Sequence, residues 1–409
     1  MIGGLSLVVS GVYGGLTFGA LSAVLIGVGL FLLGGDYSAF SCSLGVLMFC
    51  MTVYLCWVIG EVMEYVLVLL LGGGVLGVLV SNTWFEFFVF YEGVVMPLFY
   101  VVVVWGGYYE RVSSVYYLFL YTLILATPIV LFILYCVVAG CELGFIGGDL
   151  GGVFLLMCWG VGLAMLVKVP VWGVHGWLPK VHVEASTLGS ILLAGIVIKL
   201  GVYGVWALNI SGLCWGPAFV VWACLGGLCS IVVCFYIGDM KSLIAYSSIV
   251  HMSLGVAVLL YGVSGGSVGA PLIVIVHGLV ASGLFYIGGY WAGFGGSRSV
   301  VVVKGGVSLV SGMGVLVFLL WCLNMGFPVS GGFVGEIDCL GVLWVGGWEW
   351  GLYVMAYMLG CCLFSFYVVM LLGGGWEWGG VAGWENSQSV VLLVLVFVWV
   401  VLYLLAVNV

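Results

Sequence analysis

Apolar runs of bilayer-crossing length follow one another through almost all of this chain. A helix of about 20 residues spans a hydrocarbon core about 30 Å thick. Such runs fall near 39–59, 62–80, 84–105, 113–138 and 150–169, and again at 187–209, 217–238, 243–262, 270–293, 301–326, 351–373 and 389–408. The first 35 residues are too long for one straight helix and divide near Tyr13–Gly19. The pattern predicts an all-α polytopic membrane protein of about 14 transmembrane helices, with no soluble domain. Of the 409 residues, 65% are apolar and 5% charged, whereas a soluble domain carries roughly a quarter charged residues. Fifteen acids and 7 bases are too sparse for an acidic tail or a nucleic-acid-binding face, so lipid is the expected surrounding. No Arg-rich leader follows Met1, which points to insertion and not to import of a folded precursor.

The 14 cysteines include no C-x-x-C pair. Zinc and iron–sulfur sites need tighter spacings, so no metal is expected and cysteine serves here as a small apolar residue. The enriched residues, Gly, Val, Leu, Phe, Cys and Trp, have G- and T-rich codons, a skew that suits an organellar genome. Gly72-x-Gly74-x-x-Gly77 matches a dinucleotide fingerprint as text but lies within an apolar run. Small residues there serve close helix packing.

If the spans alternate, the loops holding Arg111, Lys180, Lys241, Arg298 and Lys304 share one side. The opposite loops hold Glu142, Asp149 and Glu349 and no base. The positive-inside rule places the basic side inside and both termini across from it. Val167-Lys168-Val169-Pro170 interrupts the seventh helix, and Phe327-Pro328 with Gly331-Gly332 the twelfth. Proline frees a carbonyl that hydrocarbon cannot satisfy, so such breaks line hydrated cavities or are buried in protein. A kink that only aids packing is the competing reading. The spacing of the breaks predicts two five-helix repeats, inverted across the membrane, as in secondary transporters. The expected division is 1–60 for N-terminal helices, 61–209 and 210–373 for the repeats, and 374–409 for a last helix.

Glu92, Lys168, Lys199 and Glu336 lie deep in this apolar sequence, where one charge costs about 3 kcal/mol. Glu and Lys change protonation readily with burial and neighbours. Moving one charge against 100 mV costs about 2.3 kcal/mol, roughly 1.7 pKa units, and an opposite charge shifts a pKa by about 1–3 units. A Glu92–Lys168 pair that opens and closes therefore has the energetic size to load and eject a proton. Neutralised structural residues, or pairs that only hold helices together, are the competing reading. His251 and His277, in the tenth and eleventh spans, suit a relay or hydrogen-bonded packing equally. His175, Lys180, His182 and Glu184 follow the first break, as a proton mouth or a wet loop. Glu110 with Arg111 and Asp239 with Lys241 read as topology signals and local ion pairs. Glu61, Glu64 and Glu86 lie near span ends, and Asp338 has no assigned role.

The stretch LVKVPVWGVHGWLPKVHVEASTLGSILLAGIVIKLGVYG, residues 166–204, carries a resemblance. So do FYEGVVMP around Glu92, WGGYYERV around Arg111, DMKSLIAYSSIVHMSLG at 239–255, HGLVASGLF at 277–285 and NMGFPVSGGFVGEI at 324–337. These segments, within roughly residues 85–340, resemble the chain 4 family of antiporter-like subunits of mitochondrial NADH-ubiquinone oxidoreductase, respiratory complex I. The resemblance implies a proton channel in the mitochondrial inner membrane, moving protons from matrix to intermembrane space, with both termini on the latter side. It implies a pair between Glu92 and Lys168, a central relay at Lys199 and an exit carboxylate at Glu336. It also implies no redox centre in this chain, with NADH, FMN, iron–sulfur clusters and ubiquinone held elsewhere in the complex, and antiporter-like chains 2 and 5 as neighbours. A glutamate at 336 resembles chain 4, whereas chains 2 and 5 usually carry lysine; nor does the chain extend to the long lateral helix of chain 5. Three positions depart from the family pattern: Ser186 for a usual proline, Val329 for a common second proline, and Asp338 for an apolar residue. The alternatives are a stand-alone cation/proton antiporter of the multi-subunit type and a membrane scaffold without a proton path.

Overall fold

The computed structural model describes residues 62–140, 152–210, 217–261, 269–303, 313–328, 330–345 and 347–373. The expected helices before residue 61 and after 373 lie outside the described residues, as do Glu61, Glu142, Asp149, Lys304 and Val329. Internal contacts divide the chain into Met1–Val101 and Val102–Val409.

In the first unit, α1 (Val62–Val80) is followed by α2 (Trp84–Gly93), and α3 (Val95–Trp105) begins within it. Thr83 starts α2 by accepting the Glu86 N–H at 3.2 Å, and Glu86 reaches back to the Asn82 N–H at 3.1 Å. This reciprocal capping satisfies donors that the first helical turn leaves unpaired, so Glu86 has a local structural role. Val94 keeps helical angles between α2 and α3, making Trp84–Trp105 one continuous apolar span of 22 residues. The glycines of the false fingerprint let α1 and α2 approach. A Cβ on Gly74 would lie 2.7 Å from Val94, and one on Gly77 would collide with the Phe90 ring.

The second unit holds α4 (Arg111–Ala139), α5 (Gly152–Lys168), α6 (Trp177–Glu184) and α7 (Thr187–Leu192). A π-helical turn over Leu193–Val197 joins α7 to α8 (Ile198–Ile210). Then come α9 (Pro217–Cys234), α10 (Met240–Tyr261), α11 (Gly269–Gly295), α12 (Val300–Val303), α13 (Met313–Asn324), α14 (Gly331–Val345) and α15 (Trp348–Gly373). Six described segments are long and apolar enough to cross a membrane. Among the described residues every regular element is helical, apart from an isolated bridge between Asp239 and Ser299.

The polarity of this bundle is the reverse of that of a water-soluble one. Spans 187–207, 240–261 and 269–293 are buried along almost their whole length, whereas α4 and α15 turn Leu123, Ile124, Leu131, Leu134, Leu352, Leu359, Leu363 and Met370 outward. These buried spans carry Lys199, Lys241, His251 and His277, and Glu336 is buried on α14. Buried serines satisfy themselves locally: Ser247 and Ser248 donate to the Ile244 carbonyl, Ser253 to Val250 and Ser282 to Leu279. The lysines, histidines and glutamate among them have no such recourse within one helix turn. Their partners lie on other helices, and that requirement builds the site.

The sequence reading ends a span near 326 and resumes at 351, whereas α14 fills part of that interval. Gly331, Gly332, Gly335, Glu336 and Asp338 dilute its apolar pattern. The helix is held by tertiary contact instead. A Cβ on Gly335 would lie 3.0–3.1 Å from Ile273 and the Gly269 carbonyl, and the Asp338 carboxylate accepts the Gly269 N–H at 2.6 Å.

Candidate functional site

Lys199 stands just beyond the π-helical turn on α8, a position whose facing is set by the extra residue that such a turn inserts. It is 1% exposed. Its Nζ lies 2.9 Å from His277 Nδ1 on α11 and 3.7 Å from Met252 Sδ on α10. The His277 and His251 rings follow at 5.4 Å between centroids. His251 Nδ1 lies 2.9 Å from Glu336 Oε1 on α14, and both residues are 3% exposed. Tyr357, from α15, places its hydroxyl 3.1 Å from His251 Nδ1 and 3.5 Å from Glu336 Oε1. The row Lys199–His277–His251–Glu336 thus draws on α8, α10, α11 and α14.

A cavity lies where the row has its gap. His251, His277, Asn324 and Glu336 line it, and the centre of a water molecule can range over about 20 Å³, space for at least one water. Among the described residues, His251 Nε2, His277 Nε2, Glu336 Oε2 and Asn324 Nδ2 are buried without a hydrogen-bond partner. Buried polar atoms of this kind are completed by ordered water. The cavity is bounded by the second break. There Gly326 (φ +73°) ends α13, its N–H bonding to Leu323 O and that of Phe327 to Cys322 O, a left-handed helix end that suits glycine.

The first break lies beside Lys168, the buried last residue of α5. Pro170 cannot donate to the Leu166 carbonyl, and the Val171 N–H takes it instead at 3.1 Å. The next carbonyl, Val167, accepts the Trp177 indole N–H at 3.0 Å. The freed backbone is therefore satisfied inside the protein, as apolar surroundings require. Gly201 permits this, because a Cβ there would lie 2.7 Å from the Val169 side chain. Trp177→Phe keeps the ring and leaves the Val167 carbonyl buried and unpaired, a loss of about 1–3 kcal/mol. Thermal unfolding in detergent should show a lower Tm, and an unchanged Tm would remove the indole from this role.

The other predicted residues take separate places. Glu92 is half-buried on α2, in the first unit. Glu184 Oε1 pairs with Arg298 Nη1 at 3.2 Å, and Asp239 Oδ1 lies 3.7 Å from Arg298 Nε. The local pair expected between Asp239 and Lys241 is thus not made: Lys241 Nζ donates to the Ala185 carbonyl at 2.7 Å. Nor do Glu110 and Arg111 pair, because Arg111 Nη1 donates to the Gly106 carbonyl at 2.9 Å and Glu110 only begins α4. His182 stacks on Phe285 at 4.2 Å. Burial first, then Lys241 and Lys199, push its pKa down to about 3, so it is neutral near pH 7. His175 stacks on Trp172 and accepts the Gly173 N–H through Nδ1, with burial lowering its pKa. Lys180 sits over the Tyr117 ring. His175, Lys180, His182 and Glu184 therefore have separate partners.

Residues 81–363 match the family model described as NADH:quinone oxidoreductase/Mrp antiporter, transmembrane. The chain belongs to this family. Among relatives, it is 33% identical over 321 residues to NADH-ubiquinone oxidoreductase chain 4 of Branchiostoma lanceolatum, covering 74% of this chain and 69% of that one. It is 34% identical over 290 residues to chain 4 of Locusta migratoria, covering 70% and 64%. Its fold is that of a chain in respiratory complex I from Thermus thermophilus with bound NADH (TM-score 0.82, 21% identity, 97% and 94% covered). A chain of the Mrp complex from Dietzia sp. is also similar (TM-score 0.76, 16% identity, 90% and 74% covered). Within this NADH:quinone oxidoreductase/Mrp antiporter family the chain is a membrane antiporter-like subunit, and two departures from the expected pattern have structural work. Ser186 caps α7 by accepting the Gly189 N–H at 3.1 Å, and Asp338 caps α11.

Proposed function

We propose that this chain is a core membrane subunit of respiratory complex I. It carries protons from the mitochondrial matrix to the intermembrane space, coupled to electron transfer from NADH to ubiquinone in other subunits. The observation that carries this reading is the buried row Lys199–His277–His251–Glu336 with its polar cavity. Each member can gain or lose a proton, and a buried set of such groups amid apolar helices is expensive unless it serves a path. Lys199 is the central relay, His277 and His251 the intermediates, and Glu336 the exit carboxylate. Glu92 and Lys168 serve the intake side, with His175, His182 and Glu184 as further candidates.

In the same proposal the fold has about 14 spans, with 61–209 and 210–373 as inverted five-helix repeats between helices 1–60 and 374–409. Both termini face the intermembrane space of the mitochondrial inner membrane, because the bases then lie on the matrix side. Antiporter-like chains 2 and 5 are its neighbours, lipid covers the outer apolar faces, and NADH, FMN, iron–sulfur clusters and ubiquinone are bound by other subunits. The likeness to a chain of the Mrp complex favours a second reading, a stand-alone cation/proton antiporter subunit. A native gel of mild-detergent membranes, stained for NADH oxidation and read by mass spectrometry, separates the two. Peptides of this chain are expected in the large NADH-oxidising band; their confinement to a smaller, inactive band supports the second reading.

A further inference from the structure

We propose that Tyr357 is a positioning residue that acts as a one-way latch at the exit end of the relay. This inference rests on the proton-path reading above and adds to it the direction of the last transfer. The Tyr357 hydroxyl, His251 Nδ1 and Glu336 Oε1 form a triangle with sides of 3.1, 3.5 and 2.9 Å. An imidazole nitrogen makes one hydrogen bond of one sense at a time: N–H donates, or the lone pair accepts. His251 Nδ1 therefore has two exclusive states. Protonated, it donates to Glu336; deprotonated, it accepts from the Tyr357 hydroxyl.

The transfer step converts an imidazolium and a carboxylate into a neutral ring and a carboxylic acid. The Nδ1 proton crosses to Oε1, and the ring keeps its hydrogen on Nε2, toward the cavity. The Tyr357 hydroxyl then turns from Oε1 to the bared Nδ1 lone pair. Return of the acid proton from Glu336 then requires that the Tyr357–Nδ1 hydrogen bond break first, which slows it. Once Glu336 has released its proton outward, its carboxylate draws the hydroxyl back and Nδ1 is free again. The surroundings fit this two-position rotor. Tyr357 is fully buried, so bulk solvent does not reach the hydroxyl. Tyr353, Tyr357 and Cys361 share a face of α15, one turn apart.

The test compares Tyr357→Phe with the parent in the assembled complex, measuring proton ejection while an ionophore titrates the opposing gradient. Ejection without a gradient serves as the reference for each form. Against a full gradient, loss of one hydrogen bond should raise back-leak roughly threefold to tenfold. Tyr353→Phe, whose hydroxyl is outside the triangle, should match the parent throughout. An unchanged leak in Tyr357→Phe, or an equal loss with and without gradient, overturns the latch. Lys199→Met in the same assay separates the two levels. If it also ejects normally, the proton path itself is wrong; if it alone fails, only the latch falls. Should Tyr357→Phe not assemble, infrared spectroscopy of the parent with isotopically labelled tyrosine decides. The latch requires a tyrosine C–O band that shifts between resting and turning-over enzyme, and a fixed band overturns it.

Discussion

Lys199→Met is expected to leave the complex assembled and to stop proton transfer through this chain. The substitution keeps the unbranched stem and removes the ammonium. Lys199 is 1% exposed, and its Nζ contacts His277 Nδ1 and Met252 Sδ. Among the described residues no carboxylate is paired with it, so removing the charge strands no counter-ion. Replacing a buried ion by an apolar side chain of similar volume is commonly neutral or stabilising. Folding therefore should not suffer. Function should, because a proton bound for His277 loses its donor, and removal of a positioned proton carrier lowers a rate by about 10²–10⁴-fold. The measurement is proton ejection per assembled complex, with abundance read from a native gel. Parent-like ejection at parent-like abundance would falsify the relay. Reduced abundance with unchanged ejection per complex would instead support the scaffold reading.

Much of the fold was legible because membrane helices announce themselves by length and apolarity. The charged positions were legible for the converse reason: Lys199, His251, His277 and Glu336 stand out against apolar surroundings, and the structure brings these four into one row. Their pairing was not legible. Lys199 and His277 are 78 residues apart, and Glu184 and Arg298 are 114 apart. Such partners depend on how each helix is rotated, which a π-helical turn at Leu193–Val197 can reset without a mark in the residue pattern. This is why the sequence reading paired Asp239 with its near neighbour Lys241, whereas Arg298 from a separate loop is the actual partner.

Tyr357 and Trp177 were missed for a different reason. Each reads as one more aromatic in a chain that is 15% aromatic, and only the position of its hydroxyl or indole N–H distinguishes it. Asn324 carries no signal in the sequence, because it matters only in lining a cavity shared with other helices. Asp338 followed the same rule: two residues from Glu336 it faces away from the row, and its partner at Gly269 is 69 residues distant. Local sequence thus identifies the polar groups that a membrane bundle must bury. Helix rotation decides which of them meet.

Gly326→Ala should damage the Glu336 end of the row while leaving every ionisable residue in place. Gly326 holds φ +73°, a left-handed conformation that costs a residue with a Cβ about 1–2 kcal/mol. A Cβ there would also collide with Glu336 Oε2. The carboxylate must move, and its 2.9 Å contact with His251 Nδ1 moves with it. Proton transfer falls steeply with donor–acceptor separation, and a displacement of about 1 Å at a reacting group can lower a rate on the order of 10²-fold. Gly140→Ala supplies the comparison. Gly140 ends α4 at φ +65°, and no atom lies within 4 Å of the Cβ it would gain. Both variants should therefore lose similar stability from backbone strain, read as a lower Tm. Gly326→Ala alone should lose proton ejection per assembled complex. Equal ejection from the two would mean that the Glu336–His251 contact is packing and that protons leave by another route.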